Sequence, residues 1–170
     1  MADVVDLLGL WPGRTVLDLA AGTGKLTRLL VPSGARVVGV EPLAEMRAEL
    51  AGVLPEVEAV EGTAEAIPLG DGTADAVTVA QAFHWFDGAR ALDEIHRVLR
   101  PQGGLAMLWN VRDRTVEWVN RLADITEPYA DAPRYRTGEW REAFATTEAF
   151  TTLEGRRYAF EHEVDAPTMV

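Results

Sequence analysis

The chain has 170 residues, 48% of them hydrophobic and 25% charged, with no cysteine and a formal net charge of −11. That length fits one domain with a real core. The missing thiols exclude disulfides, thiolate metal sites and a cysteine nucleophile. The acidic balance disfavours nucleic acid, whose binding needs clustered cations to displace condensed counterions.

The start, Met1-Ala2-Asp3-Val4-Val5-Asp6, lacks the basic flank of a signal peptide, and no apolar run is long enough for a bilayer. The expected location is therefore the cytoplasm. The first predicted strand is Thr15–Leu19, a short aliphatic run behind the Pro12-Gly13 turn. It enters Ala20-Ala21-Gly22-Thr23-Gly24, after which Leu26, Leu29 and Leu30 recur at helical spacing. Pro32 to Gly34 break the chain before a second strand, Arg36–Val40, which ends on Glu41. Pro42 opens a helix with Leu43, Met46 and Leu50 on one face.

A short third strand spans Val57–Val60, and the turn Gly70-Asp71-Gly72-Thr73 leads to a fourth, Ala76–Ala80. A helix from about Asp87 to Leu99 buries Ala91, Leu92, Ile95, Val98 and Leu99; the Arg100–Gly104 break ends it, and Leu105–Trp109 form the fifth strand. Val116, Val119, Leu122, Ala123 and Ile125 predict one more helix. Pro128 to Trp140 read as irregular, and the alternation of Tyr158, Phe160 and His162 makes Arg156–Val164 a candidate sixth strand.

Strands alternating with helices imply an α/β fold: a doubly wound, mostly parallel sheet with helices on both faces. Such a sheet binds ligands beyond the carboxyl ends of its strands, where strand order reverses. Functional residues are therefore expected just after Leu19, Val40, Val60, Ala80 and Leu108.

Spacing narrows what the first glycine loop binds. A phosphate-binding G-x-x-x-x-G-K-[ST] loop fails, because Leu19 stands at the first Gly and Leu26 at the metal-binding hydroxyl. A dinucleotide G-x-G-x-x-G fails in both registers, at Thr27 from Gly22 and at Ala20 and Lys25 from Ala20. What remains is Asp18, small residues and two glycines. An Asp there repels a pyrophosphate and suits a ligand carrying an ammonium group, as S-adenosylmethionine does. Glu41, at the end of the second strand, can accept both hydroxyls of a ribose. By itself it does not separate one nucleoside cofactor from another.

Two further motifs complete the pattern: Gly62-Thr63-Ala64-Glu65-Ala66-Ile67-Pro68-Leu69, and Ala82-Phe83-His84-Trp85-Phe86. With Val16-Leu17-Asp18-Leu19-Ala20-Ala21-Gly22-Thr23-Gly24 and Val38-Gly39-Val40-Glu41-Pro42, they span Thr15 to Asn110 in order. This run resembles the methyltransferase type 11 domain of class I, Rossmann-like S-adenosylmethionine-dependent methyltransferases. It is especially similar to trans-aconitate methyltransferase-like, small-molecule members. The resemblance implies S-adenosylmethionine as cofactor, a small-molecule acceptor, and no metal. It implies that Asp18, with the backbone of Ala20, Gly22 and Gly24, holds the methionine part. Glu41 would take the ribose, Pro42 and Met46 would pack near the adenine, Thr63 and Ala64 would lie at its edge, and Gln81 would face the amino-acid end. Many relatives have Asp where this chain has Thr63, a weaker acceptor for the adenine amino group.

The acceptor is expected beside Phe83, His84 and Trp85, after the fourth strand, and beside Asn110 and Arg112, after the fifth. His84 is the candidate catalytic base; its other reading is a pocket wall or helix cap, since methyl transfer often needs only alignment and desolvation. Arg112 has the planar fork to receive a carboxylate, or is an ordinary surface Arg. Arg134, Arg136 and Arg141 read as a solvated face, and His96 and His162 as structural.

The sequence thus predicts one domain over residues 1–170, with its core at 15–110 and a substrate-side helix, irregular segment and sixth strand at 111–170. Two rival functions stand beside methyl transfer: a non-catalytic S-adenosylmethionine-binding module and an NAD-dependent oxidoreductase. The short stretch before Thr15, and the stop after Asp165-Ala166-Pro167-Thr168-Met169-Val170, predict a sheet without the family's last antiparallel strand. An open edge on the fifth strand would then invite self-association.

Overall fold

A computed structural model describes residues 2–129 and 137–161. Its centre is a five-stranded sheet ordered β3-β2-β1-β4-β5, with every neighbouring pair parallel. The strands are β1 (Thr15–Leu19), β2 (Arg36–Val40), β3 (Glu58–Val60), β4 (Ala74–Ala80) and β5 (Leu99–Leu108). Helices α1 (Ala2–Leu7), α2 (Thr27–Leu30), α3 (Ala44–Val53), α4 (Gly88–Val98), α5 (Glu117–Thr126) and α6 (Glu142–Ala145) complete the described elements.

The central strands are almost continuously apolar because both faces of the sheet are covered. All of β1 is buried. Its side chains alternate between two cores: Leu17 and Leu19 join Val38, Val40, Leu92 and Ile95 on one face, and Val16 joins Leu10, Leu30, Val37 and Val57 on the other. Helix α4 lies on the first face because Ala91, Leu92, Ile95 and Val98 fall on one stripe and are fully buried. Asp87 caps it, accepting from the Arg90 N–H at 3.4 Å.

From β1 the chain steps outward to β2 and β3, then returns to lay β4 against the other side of β1. Strand order reverses between β1 and β4, which opens a crevice at their carboxyl ends. At the opposite end of the sheet, buried Asp75 fastens three segments. It accepts from the Thr15 N–H and from the guanidiniums of Arg14 and Arg100. Burial pushes its carboxyl up, but these donors outweigh it and hold the group below its usual range.

Several predicted elements are revised. Helix α2 is only one turn, giving way to a 3-10 turn at Val31–Ser33, with Pro32 early in it and Gly34 left-handed at its end. Strand β5 begins earlier than predicted: Leu99 pairs with Ala74, Arg100 to Gly103 bulge out, and pairing resumes at Gly104 with Ala76. Pro101 has no N–H for a ladder and Gln102 is left-handed, so the bulge sits where pairing is weakest. The expected sixth strand does not form over 156–161; Tyr158 and Phe160 are exposed, and the rest of that prediction lies outside the described residues. Among the described residues β5 pairs with β4 alone. No described helix is long and apolar enough to cross a membrane.

Candidate active site

Two residues flank the reversal point in an unusual backbone conformation. Ala20, just after β1, has φ of 56°, and Gln81, just after β4, has φ of 58°. Neither is glycine, so each carries steric strain that the surrounding structure must hold. The holding bonds are visible: the Ala21 N–H donates to the Val40 carbonyl at 3.1 Å and the Gln81 N–H to the Leu108 carbonyl at 2.9 Å. Strain of this kind on both lips of a crevice marks a functional site.

The glycine loop then turns across the top of β2. Gly22 is left-handed, and its N–H donates to Glu41 Oε2 at 2.9 Å. A side chain at Gly22 would meet only Met46 Sδ, at 4.0 Å. Gly24 is glycine for a different reason: an added Cβ would lie 2.6 Å from Leu50 Cδ1, and its φ is 84°. It therefore packs the loop onto α3.

Glu41 is only 4% exposed. Its second oxygen, Oε1, accepts from the Leu43 N–H at 2.9 Å. Each carboxylate oxygen thus holds one backbone donor and keeps further lone-pair capacity. Arg47, one turn into α3, reaches back to the carbonyls of Glu41 and Pro42 at 2.8 and 3.2 Å, and pairs with Glu61 at 2.9 Å. It ties the ends of β2 and β3 together around the carboxylate.

These elements enclose a cavity of about 410 Å³. Of the residues predicted to bind a cofactor, Ala20, Glu41, Pro42, Thr63 and Ala64 line it, with Trp85 opposite. Phe86, read from the sequence as a pocket or core aromatic, lines it too, and the sequence reading missed Leu43, Gly62, Glu65 and Ala82. Glu65 was detectable as part of the Thr63–Leu69 motif; it also accepts from the Asp87 N–H at 3.0 Å, joining this wall to the start of α4.

Other predicted residues sit elsewhere. Asp18 does not present its carboxylate to the cavity: it is 1% exposed, with the Thr27 hydroxyl on Oδ2 at 2.6 Å and the Thr78 hydroxyl on Oδ1 at 3.0 Å. Burial pushes its pKa up to about 6, against the pull of those two hydroxyls. Its side chain fastens the loop from behind. Gly22, Gly24, Met46 and Gln81 are also outside the lining, with Met46 against the loop and Gln81 Nε2 donating to the Asn110 carbonyl at 3.5 Å.

A 3-10 turn, Phe83–Trp85, separates this crevice from a second cavity of about 280 Å³. Phe83, His84, Phe86 and Gly88 line that cavity from one side, and Glu139, Trp140 and Ala143 from the other. Glu139 and Trp140 end the stretch read from the sequence as irregular, and Ala143 lies just beyond it. Trp140 and Phe144, one helical turn apart, are the signal that could have found this wall. Trp140 stacks on Trp109 with centroids 4.6 Å apart, Phe144 packs on Phe83 at 5.4 Å, and Gly88 has no Cβ to block Ala143, which would stand 2.6 Å from one.

His84 is buried, and its Nδ1 accepts from Trp109 Nε1 at 3.4 Å. Burial also pushes its pKa down, so the ring is neutral near pH 7. Asn110 and Arg112 line neither cavity; Arg112 donates to the Thr126 hydroxyl at 3.3 Å. His96 meets the Phe150 ring, and exposed Arg141 stacks over Trp140. Arg134, Arg136 and His162 lie outside the described residues.

The sequence profile of a methyltransferase domain matches residues 17–107, which carry β1 to β5 and both walls of the crevice at the turn. The chain belongs to that methyltransferase family. It is 47% identical over 152 residues to an uncharacterized methyltransferase of Mycobacterium tuberculosis, covering 89% of this chain and 60% of the relative. It is 42% identical over 104 residues to the demethylmenaquinone methyltransferase of Thermus thermophilus, covering 56% of this chain and 46% of that one. Among solved structures, a SAM-dependent methyltransferase from Aquifex aeolicus superposes with a TM-score of 0.60 at 27% identity, over 75% of this chain and 77% of that one. The chain thus spans 60% or less of the length of both curated relatives.

Proposed function

We propose that the protein binds S-adenosylmethionine in the crevice between β1 and β4 and transfers its methyl group to a small-molecule acceptor. The observation that carries this is Glu41, buried at the end of β2 with one backbone donor on each oxygen and capacity left on both. A ribose diol matches that remaining capacity. Thr63 and Ala64 would border the adenine, and Ala20 would let the backbone approach the methionine part. The likeness to a SAM-dependent methyltransferase of Aquifex supports the cofactor, and the demethylmenaquinone in the name of the Thermus relative supports a small-molecule acceptor.

When bound, the cofactor supplies a methyl group on a sulfonium. The chain's own residues orient it and exclude water. His84 serves as a wall in this reading. Its Nδ1 is engaged by Trp109, which leaves the proton on Nε2, and a base role would require breaking that bond. The β5 edge, which no described strand covers, supports self-association, which sedimentation velocity checks: a strictly monomeric chain removes that part of the proposal.

Calorimetry with S-adenosylhomocysteine and NAD⁺ tests the cofactor, with binding of the first alone expected. Binding of NAD⁺ alone would overturn the reading in favour of an oxidoreductase. Methylated product from an acceptor panel separates an enzyme from a binding module.

A further inference from the structure

Resting on the reading of the crevice as the cofactor site, we infer that Glu94 and Arg97, on α4, are positioning residues for it. They set the wall that carries Thr63 and Ala64, and through that wall the recognition of the adenine. The loop between β3 and β4 supplies Gly62, Thr63, Ala64 and Glu65 to the crevice. Among the described residues no ladder holds this loop; it has an isolated bridge between Thr63 and Ala66. Its other side is held by α4 instead.

The grip is dense. Glu94 Oε2 accepts from the Ile67 N–H at 2.8 Å. All five N–H donors of Arg97, three residues on, are engaged. Nε and Nη2 make a two-pronged pair with Glu94, at 2.7 Å each. Nη2 also donates to the Ile67 carbonyl at 2.9 Å, and Nη1 to the Leu69 carbonyl and to Asp71 Oδ1, both at 2.8 Å. An ordinary surface pair leaves most of such a fork in water. Here one ion pair collects a backbone N–H and two backbone carbonyls of the loop, and it stays charged because Arg97 holds the Glu94 carboxyl down at about 2.

Contact carries the grip to the crevice. Pro68, between the two held carbonyls, packs on Gly62: a Cβ added at Gly62 would stand 2.5 Å from Pro68 Cδ and 3.1 Å from Val40 Cγ1. Ala64 and Ile67 are buried in one core cluster. Ile67 and Pro68 therefore cannot shift without moving Gly62 and Thr63. At the start of the same helix, Glu65 Oε1 accepts from the Asp87 N–H at 3.0 Å. Helix α4 thus fixes the wall at two places.

The test titrates two ligands into the whole chain by calorimetry, with the folded fraction read by circular dichroism. One is S-adenosylhomocysteine; the other is its 6-deamino analogue, which lacks only the adenine amino group. The wild-type chain should prefer the first by ~3- to 10-fold, the worth of one hydrogen bond. Arg97→Ala should weaken S-adenosylhomocysteine by that factor and the analogue by less than ~2-fold, so that the preference disappears. Arg97→Lys keeps the charge beside Glu94 but has three donors in place of five, and should retain part of the preference in a fully folded chain. Equal weakening of both ligands in folded variants would show a role in stability alone and overturn the inference. A full preference in folded Arg97→Ala, or in Arg97→Lys should the alanine variant not fold, would overturn it too. So would equal binding of the two ligands by the wild-type chain, since the wall would then not read the base. No binding of S-adenosylhomocysteine by the wild-type chain would instead strike the cofactor reading.

Discussion

The crevice and the aromatic cavity lie on either side of one turn, but different forces build them. The crevice is made of strand ends, backbone donors and glycines, and its walls are fixed by sheet register: Leu19 pairs with both Val40 and Val79. The aromatic cavity is made by side chains of residues 139–144 resting on Phe83, Phe86 and Trp109. The first is as rigid as the sheet. The second depends on a short segment whose contacts are almost all between side chains. Strand ends are constrained by the fold, while a covering segment is free to vary from one chain to the next.

The largest effect that would break this comparison is expected at Glu41. Glu41→Ala removes the ribose acceptor and also leaves the N–H groups of Gly22 and Leu43 without their partner. S-adenosylhomocysteine affinity should fall by about 1.5–3 kcal/mol by calorimetry, and stability should fall by about 1–3 kcal/mol in urea. The near-ultraviolet circular dichroism of the Trp109–Trp140 pair at the aromatic cavity should hold in whatever fraction stays folded. If cofactor affinity and that signal are lost together at full folding, the two regions are one.

A pH dependence comes next, and it belongs to the crevice half. Asp18 has a folded pKa near 6, above its ordinary unfolded value. Its stabilising contribution is thus complete below pH 4 or so and is lost as pH rises through about 6, by at most ~3 kcal/mol. Glu94 works the other way: its bonds to Arg97 and to the Ile67 N–H depress it to about 2, so its contribution is present above its unfolded value and lost as pH falls toward 2. The Asp18 share of the urea midpoint should therefore decline between about pH 4 and 6.5, against an opposite contribution from buried His84, whose lowered pKa adds stability as pH rises toward its ordinary value. Asp18→Asn, which cannot ionise, should flatten that decline. An unchanged slope in the variant would show that Asp18 stays ionised across the range.

Gly88→Ala probes the other half. The new methyl would lie 2.6 Å from Ala143 Cβ, so the 139–145 segment must shift or α4 must move at its first turn. A loss of about 1–3 kcal/mol is expected, with the near-ultraviolet signal of the Trp109–Trp140 pair weakened and S-adenosylhomocysteine binding kept. The reverse pattern would mean that the turn, not the segment, sets the cavity.

The same division explains what was legible in the sequence. Strands β1, β2 and β4 are short aliphatic runs bounded by Pro, Gly and turn residues, and such runs report buried parallel strands directly. Glu41 and Thr63 follow strand ends, so knowing the strands placed both of them beside the crevice. Asp18 is different. Its partners Thr27 and Thr78 lie 9 and 60 residues away, and nothing local reveals that they claim both carboxylate oxygens. The alternation at Tyr158 and Phe160 looked like a strand, but these side chains are 58% and 73% exposed and no described strand pairs with them. Alternation needs a neighbouring strand to become a ladder. Trp140 was hidden by the polar, Arg-rich stretch around it, since its role depends on Trp109 and Phe83, far away in sequence.

The smallest expected effect sharpens the crevice reading. Thr63 lines the crevice at the proposed adenine edge, on an exposed position whose carbonyl accepts from the Ala66 N–H at 3.3 Å. Thr63→Asp should tighten cofactor binding by less than ~1 kcal/mol, because a carboxylate accepts more strongly than a hydroxyl but an exposed site screens the gain. The added charge stands near Glu41 and Glu65, so it also deepens the negative field of the crevice. The two contributions separate by ligand. A bond to the adenine amino group should favour S-adenosylmethionine and S-adenosylhomocysteine equally, since both carry the same base. A field effect should favour the sulfonium form alone and should fade as salt is added, because exposed charges are screened over about 10 Å at 0.1 M. Equal, salt-independent tightening places the adenine at Thr63. A gain confined to S-adenosylmethionine moves the base elsewhere in the crevice, and weaker binding of both by a folded variant removes Thr63 from the site.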